Sequence, residues 1–417
     1  LAGYFGQQDG TAAVYGLISL AIVLIAWATV SARAARYSVT VPVALLLAGL
    51  LLAVGDEPAV RLDLASPAMQ HLLQATLALV LFTDATEISL RRLREAGHLP
   101  LRLILIALPL TVAAGFLLGV ALFPLAGAWV LALVAAALAA TDSSLAAVLV
   151  HDRRIPHDLR TAVTVESGLN DGLAAPLVLA FLAAAVAADH DRQAGQVLGQ
   201  TVREIAFALV VGVLVGGAAA RLLRAARKRG WSTARAERLA YLAIALLAFE
   251  AAHAVHGNGI VAGFVAGMAV RAVDQDLPEA HLQTAHDVVG LLAAGVWFLF
   301  GSLIPQVIGD VLNWRIVLYA VLSLTLVRML PVAASLIGLR RFKREVLLLS
   351  WLGPRGLPSV IFALIALQQL TGPPAALVAA LVMATVLLSV LAHGLSAVPI
   401  AERWTDPRSR VPAAERT

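Results

Sequence analysis

Seven ionisable side chains fall inside long apolar stretches of this 417-residue sequence: Asp84, Asp142, Glu166, Asp171, Glu250, Arg328 and Arg355. A charge at such a place is costly unless it is paired or used. Asp142 stands in Thr141-Asp142-Ser143-Ser144. That oxygen-rich group suits a hard cation, with backbone carbonyls freed by a helix break as further ligands. The alternative is an acid that caps a kinked helix. Asp171 stands in Glu166-Ser167-Gly168-Leu169-Asn170-Asp171-Gly172. On a helix running from Pro156, Ser167 and Asp171 are four apart and share a face, with Glu166 and Asn170 in the same region. A lone carboxylate in a dry site binds a proton more readily than it does in water. One acid can then hold either a proton or a cation, the competition that an exchanger needs. The alternative is an acid that closes a loop.

Glu166 and Arg355 read as a buried ion pair. Arg355 sits in a stretch otherwise empty of charge, and its guanidinium cannot shed its proton. The pair reads as a structural clamp in preference to a direct ion ligand. Arg328 has two open placements, a packed interior or the membrane interface. Glu250, His253 and His256 lie in the run FEAAHAVHGNG. Their spacing suits a metal or a proton relay, but it is not HExxH, and they read as polar residues at a span end. Gly263 and Gly267 form a GxxxG pair, a signal for close helix packing.

The elements that must position these groups are membrane helices. The chain is 60% hydrophobic and 14% charged, with mean hydropathy +0.87, against about 45–50% and about 25% in ordinary globular domains. Its apolar residues come in runs of about 20, the length that crosses a bilayer. There are thirteen candidate spans, at 12–30, 39–54, 68–88, 101–124, 127–150, 159–188, 201–223, 237–256, 258–272, 286–304, 315–338, 344–369 and 374–398. The first reads as a true span and not as a cleaved signal peptide. The expectation is one transmembrane domain over residues 1–400 and a short tail over 401–417, too short for a regulatory domain. The absence of cysteine excludes disulfides and thiolate metal sites. The net charge of +5 does not indicate nucleic acid, because the basic residues sit between the apolar runs. Loops after odd-numbered spans hold Arg33, Arg91, Arg154, Arg227, Lys228, Arg271, Arg340 and Arg341; loops after even-numbered spans hold few basic residues. By the positive-inside rule the N-terminus is outside and the C-terminus cytoplasmic.

Thirteen spans divide into six, one linker and six. The fifth is interrupted at Thr141–Ser144 and the twelfth at Gly353-Pro354-Arg355-Gly356-Leu357-Pro358. Paired breaks at corresponding places in two halves mark a site near the bilayer midplane, and unwound backbone at that depth must be buried in protein or line a cavity.

Ala140-Thr141-Asp142, the ESGLNDG run at 166–172 and Gly353-Pro354-Arg355-Gly356 together resemble the monovalent cation:proton antiporter superfamily, in its sodium/proton exchanger (NhaP-like) branch. The resemblance covers the whole membrane domain. It implies two inverted six-helix repeats with crossing broken helices in a core domain, a separate dimerisation domain and a homodimer in the plasma membrane. It implies that Asp171 carries the ion or the proton, that Thr141, Asp142, Ser167 and Asn170 support the cation, and that Glu166 pairs with Arg355. It also implies exchange of Na⁺, or of Li⁺ or K⁺, for H⁺ without a cofactor. Asn170, where other relatives carry a second Asp, implies electroneutral exchange. The chain departs from the family pattern in three places. The acid of span three, Asp84, is displaced by one position; Ser143-Ser144 replaces a more usual Pro-Val; and Pro358 follows the break closely. Asp84 and Ser143 are therefore accessory candidates. Two other functions fit some of these residues: proton-coupled transport of a small organic or anionic solute, with Arg355 as the attracting group, and an intramembrane enzyme using Asp142 and Asp171 as a carboxylate pair. The enzyme reading lacks a GxGD context and a nucleophile pattern.

Overall fold

A computed structural model describes residues 10–35, 40–54, 66–88, 97–142, 149–150, 152, 154–189, 194–339 and 341–403. Ser143, Ser144, several loop arginines and the tail beyond Arg403 lie outside the described residues. Those described form helices joined by short turns. In chain order they are α1 (Gly10–Ala35), α2 (Val41–Ala53), α3 (Pro67–Glu87), α4 (Leu99–Leu122), α5 (Ala128–Ala137), α6 (His157–Asp189) and α7 (Ala194–Lys228). Then follow α8 (Ala234–Ala254), α9 (Gly259–Val273), α10 (Gln283–Val311), α11 (Trp314–Ser335), α12 (Lys343–Trp351), α13 (Leu357–Gln369) and α14 (Gly372–Arg403). No strand occurs among the described residues. Seven of these helices are long and apolar enough to cross a membrane, and α2, α5, α9 and α13 are shorter apolar helices.

Helix boundaries follow local chemistry. Ser66 caps α3, its hydroxyl accepting from the Met69 N–H at 3.3 Å, with Pro67 at the first helical position. Asn258 caps α9 through the Val261 N–H at 3.1 Å, and Asn313 caps α11 through the Arg315 and Ile316 N–H groups. The spans expected at 237–256 and 258–272 are two helices, joined by a turn in which His256 has φ +55°. Pro358 lies in the first turn of α13, where it costs no intrahelical hydrogen bond.

Large apolar side chains such as Ile25, Leu105, Leu214, Leu222 and Leu395 point outward over much of the surface, as a lipid solvent allows. Inside, Leu77 and Leu81 of α3, Val134 of α5, Ala174 of α6, Ile361 and Phe362 of α13 and Val382 of α14 share one buried core. The GxxxG pair of α9 packs on α3: a Cβ at Gly267 would lie 2.4 Å from the Phe82 carbonyl oxygen. Such close backbone approach supplies the dispersion contacts that hold helices together in lipid, where the hydrophobic drive is absent. The result brings α3, α5, α6, α11, α13 and α14 around two non-helical segments, residues 138–142 and 352–356.

Candidate functional site

A helix that stops inside a protein leaves carbonyls and N–H groups that must find partners. In this chain the two breaks and α6 supply them to one another. At the end of α5, the Ala137 carbonyl accepts from the Ser359 hydroxyl at 2.7 Å, and the Ala139 carbonyl from Asn170 Nδ2 at 2.9 Å. The Ala140 carbonyl accepts from Arg355 Nη1 at 3.2 Å, and the Thr141 carbonyl from the Ser167 hydroxyl at 2.9 Å. The Thr141 N–H donates to Asp171 Oδ1 at 2.9 Å, and the Asp142 N–H to the Pro354 carbonyl at 2.8 Å. Asp142 Oδ2 in turn accepts from the Leu357 N–H at 3.0 Å, so one carboxylate oxygen caps α13. The capping alternative for Asp142 is thus present, and it serves the other broken helix.

Ser167, Asn170 and Asp171 lie on the face of α6 that meets Thr141, as their spacing requires. All three, with Thr141 and Asp142, are buried. Asn170 Nδ2 also donates to Thr141 Oγ1 at 3.2 Å, which leaves Asn170 Oδ1 buried and without a hydrogen-bond partner among the described residues. Asp171 has no arginine or lysine partner among the described residues. Asp84 of α3 is half-buried; its backbone carbonyl abuts Gly168, one turn from Asp171, and its carboxylate is within electrostatic reach of both Asp171 and Asp142. Asp84 is therefore part of this cluster, whereas Ser143 lies outside the described residues.

The Glu166–Arg355 pair expected from the sequence is corrected. Glu166 pairs with Arg328 of α11: Arg328 Nη2 lies 2.8 Å from Oε1 and 3.0 Å from Oε2, with both residues buried. The reason is local. Gly353 leaves room for the Arg328 guanidinium, since a Cβ there would sit 2.4 Å from Arg328 Nε. Arg355 is directed instead at the Ala140 carbonyl, while its backbone N–H is tied to Ser389 Oγ at 2.7 Å. Arg355 Nε and Nη2 have no hydrogen-bond partner among the described residues.

Glu250, His253 and His256 stand apart from this cluster. Glu250 pairs with His71 at 2.8 Å. His253 and His256 line a polar cavity of about 750 Å³ with Gln74, Gln200, Glu204 and Gln369. Among the described residues no three His, Asp or Glu side chains gather as a metal-binding group.

The transmembrane sodium/hydrogen exchanger family model matches residues 19–403. The chain belongs to that family. The sodium proton antiporter MjNhaP1 from Methanocaldococcus jannaschii superposes with TM-score 0.73 at 19% identity, over 94% of this chain and 99% of that one, and so shares the fold. A probable Na⁺/H⁺ antiporter of Schizosaccharomyces pombe is 26% identical over 258 residues, which is 57% of this chain and 33% of that protein. Na⁺/H⁺ antiporter 2 of Zygosaccharomyces rouxii is 26% identical over 257 residues, 57% of this chain and 31% of its own length. The matched segment thus spans about a third of these curated relatives.

In this exchanger-family chain, sequence reading missed Arg328 as the partner of Glu166, and missed Ser359 and Ser389. Arg328 was visible as a charge inside a span. The two serines carried no signal, because small residues in apolar helices are ordinary until a neighbour is placed against them. Gly356 was visible in the break of span twelve, but its contact with Asp142 was not. A Cβ there would lie 2.1 Å from Asp142 Oδ2 and 2.4 Å from its Cβ. Gly356→Ala should therefore push Asp142 off the start of α13. Overpacking of this kind costs about 1–3 kcal/mol. The expected result is a lower melting temperature in detergent and transport reduced more than folded yield. Wild-type transport from Gly356→Ala would show that the contact between Asp142 and α13 is dispensable.

Proposed function

We propose that this chain is a secondary antiporter that exchanges a monovalent cation, Na⁺ foremost and otherwise Li⁺ or K⁺, for H⁺ by alternating access, one for one. The observation that carries the reading is Asp171. It is a buried carboxylate with no cationic partner among the described residues, next to an unpartnered buried oxygen, Asn170 Oδ1. Its cluster holds four carboxylates (Asp84, Asp142, Glu166 and Asp171 itself) and two guanidiniums (Arg328, Arg355), so the cluster is two negative charges in excess when all are ionised. An excess of that sign attracts a cation or protons. Asp171 is the shared site, with Asn170, Thr141, Ser167 and Asp142 as its support. Asn170, being neutral, leaves one titrating acid at the exchange point and supports electroneutral turnover.

The same reading makes the chain a transporter and not an enzyme. It places residues 1–400 as one transmembrane domain of two inverted repeats, acting as a homodimer in the plasma membrane, with the N-terminus outside and the C-terminus in the cytoplasm. The two breaks that hydrogen-bond to each other support the two-repeat arrangement, and the basic residues in alternate loops support the orientation.

One observation favours the solute-transport alternative: the unpartnered Nε and Nη2 of Arg355 could attract an anion. The excess of carboxylates opposes it. Proteoliposomes holding only the protein, a pH gradient and a pH-sensitive dye decide between them. Addition of Na⁺, Li⁺ or K⁺ should dissipate the gradient, choline should not, and a membrane potential should leave the rate unchanged. A folded protein that answers none of the three cations would rule the exchange reading out.

A further inference from the structure

Two residues of α14 close a hydrogen-bonded bridge across the α12–α13 break. The His393 imidazole is buried, and its Nε2 lies 2.9 Å from the Trp351 carbonyl, at the last helical residue of α12. Its Nδ1 faces its own helix, 3.2 Å from Ser389 Oγ and 2.9 Å from the Ser389 carbonyl. Ser389 Oγ accepts from the Arg355 N–H at 2.7 Å. The Trp351 ring lies against the imidazole, centroids 4.7 Å apart and 25° from parallel, and its Nε1 donates to Ser396 Oγ at 3.0 Å. The break therefore touches α14 at both ends: Trp351 enters it through His393, and Arg355 leaves it through Ser389. Between these anchors are Leu352, Gly353 and Pro354; the Gly353 N–H turns back to the Trp351 carbonyl at 2.8 Å, and the Pro354 nitrogen has no hydrogen to donate. The Pro354 carbonyl nonetheless has to meet the Asp142 N–H, and Arg355 Nη1 the Ala140 carbonyl.

We propose that His393 and Ser389 are positioning residues for ion exchange: they fix the course of residues 351–355, and through it the place of Asp142 and of the α5 break beside Asp171. Each ring nitrogen of His393 faces a backbone carbonyl at 2.9 Å, and it is the Nε2 tautomer that donates to Trp351 across the break. Ser389 Oγ accepts from the Arg355 N–H in either tautomer. Neither residue touches the ion. The inference rests on the exchange reading above for its functional part only, since the bridge itself is a matter of backbone protection.

The test uses four variants of the full chain in two measurements. Glutamine can place an amide N–H where Nε2 stands, and asparagine only where Nδ1 stands. His393→Gln should therefore keep the bond to Trp351, whereas His393→Asn and His393→Leu should lose it. Ser389→Ala should release the Arg355 end. In hydrogen exchange, the amides of residues 352, 353 and 355–357 should exchange at least about tenfold faster in the Asn, Leu and Ala variants than in wild type or His393→Gln. In proteoliposomes, the same three variants should raise the apparent KM for the transported cation about tenfold with the maximal rate changed less, the signature of a displaced binding site. His393→Gln should stay near wild type. If Gln and Asn behave alike, or His393→Leu matches wild type in both measurements, the bridge does not position the site. If wild type shows no cation-driven proton flux, the exchange reading fails, and the exchange-rate comparison still decides whether the bridge exists.

Discussion

Asp171→Asn should abolish cation-driven proton movement in proteoliposomes, with flux falling at least about 100-fold to the level of protein-free vesicles, beyond the tenfold that ~1.4 kcal/mol of lost binding gives. Asparagine has the volume of aspartate, and its Oδ1 can still accept the Thr141 N–H that now donates at 2.9 Å. The fold should survive, and the melting temperature should stay within a few degrees of wild type. What disappears is the charge. A neutral side chain cannot hold a cation and cannot take up a proton to be carried back, so both halves of the cycle stop together. The wild-type protein carries a second signature of the same competition. Protonation removes the carboxylate that the cation needs, so the apparent KM for Na⁺ should rise as pH falls. In the limit of one shared site the rise approaches about tenfold per pH unit, because binding of either ligand weakens the other by the same factor. The Asn variant that still exchanges Na⁺ for H⁺ would move the carrier role to another acid of the cluster, and Asp84 would be the next to replace.

The residues that made this site legible were those that break a rule. Charges inside apolar stretches are few, and each had to be explained, so Asp142, Glu166, Asp171 and Arg355 stood out at once. The helical spacing of Ser167 and Asp171 placed both on one face, and the structure puts that face against Thr141. Helix extents followed from hydropathy, and the interruptions at Asp142 and Gly353 followed from polar residues and glycine–proline pairs in runs that otherwise have neither. Pairing across helices was not legible. Glu166 had two buried arginines to choose from, Arg328 and Arg355, and sequence distance does not rank them. The choice is made by Gly353, which opens space for Arg328, and by Ser389, which takes the Arg355 backbone. Both are consequences of how α11, α12 and α14 pack, and single-residue identities are silent on that. The same holds for Ser359 and His393, which read as unremarkable polar residues in a membrane span until their carbonyl partners at Ala137 and Trp351 are in place.

The corrected ion pair sets the second large expectation. Glu166→Gln should destabilise the protein strongly, because it leaves the buried Arg328 guanidinium facing a neutral amide. Removal of one partner from a buried salt bridge costs about 3–5 kcal/mol, most of it the penalty of the charge left behind. Arg328→Met should cost a similar amount by stranding Glu166. The double variant Glu166→Gln/Arg328→Met leaves no stranded charge, and its melting temperature in detergent should recover much of the loss, since residues in direct contact do not add. The same cycle built on Glu166 and Arg355 should show a smaller coupling, because Arg355 donates to the Ala140 carbonyl and not to Glu166. The comparison of the two cycles is decisive in both directions. Coupling concentrated on Arg355 would mean that the pair forms as the sequence suggested, and that Arg328 meets Glu166 in one conformation of the cycle only. Coupling concentrated on Arg328 would make the α6–α11 clamp permanent. Arg355 would then remain a charge held by the Ala140 carbonyl beside the exchange site, free to feel whether Asp171 is occupied by a cation or by a proton.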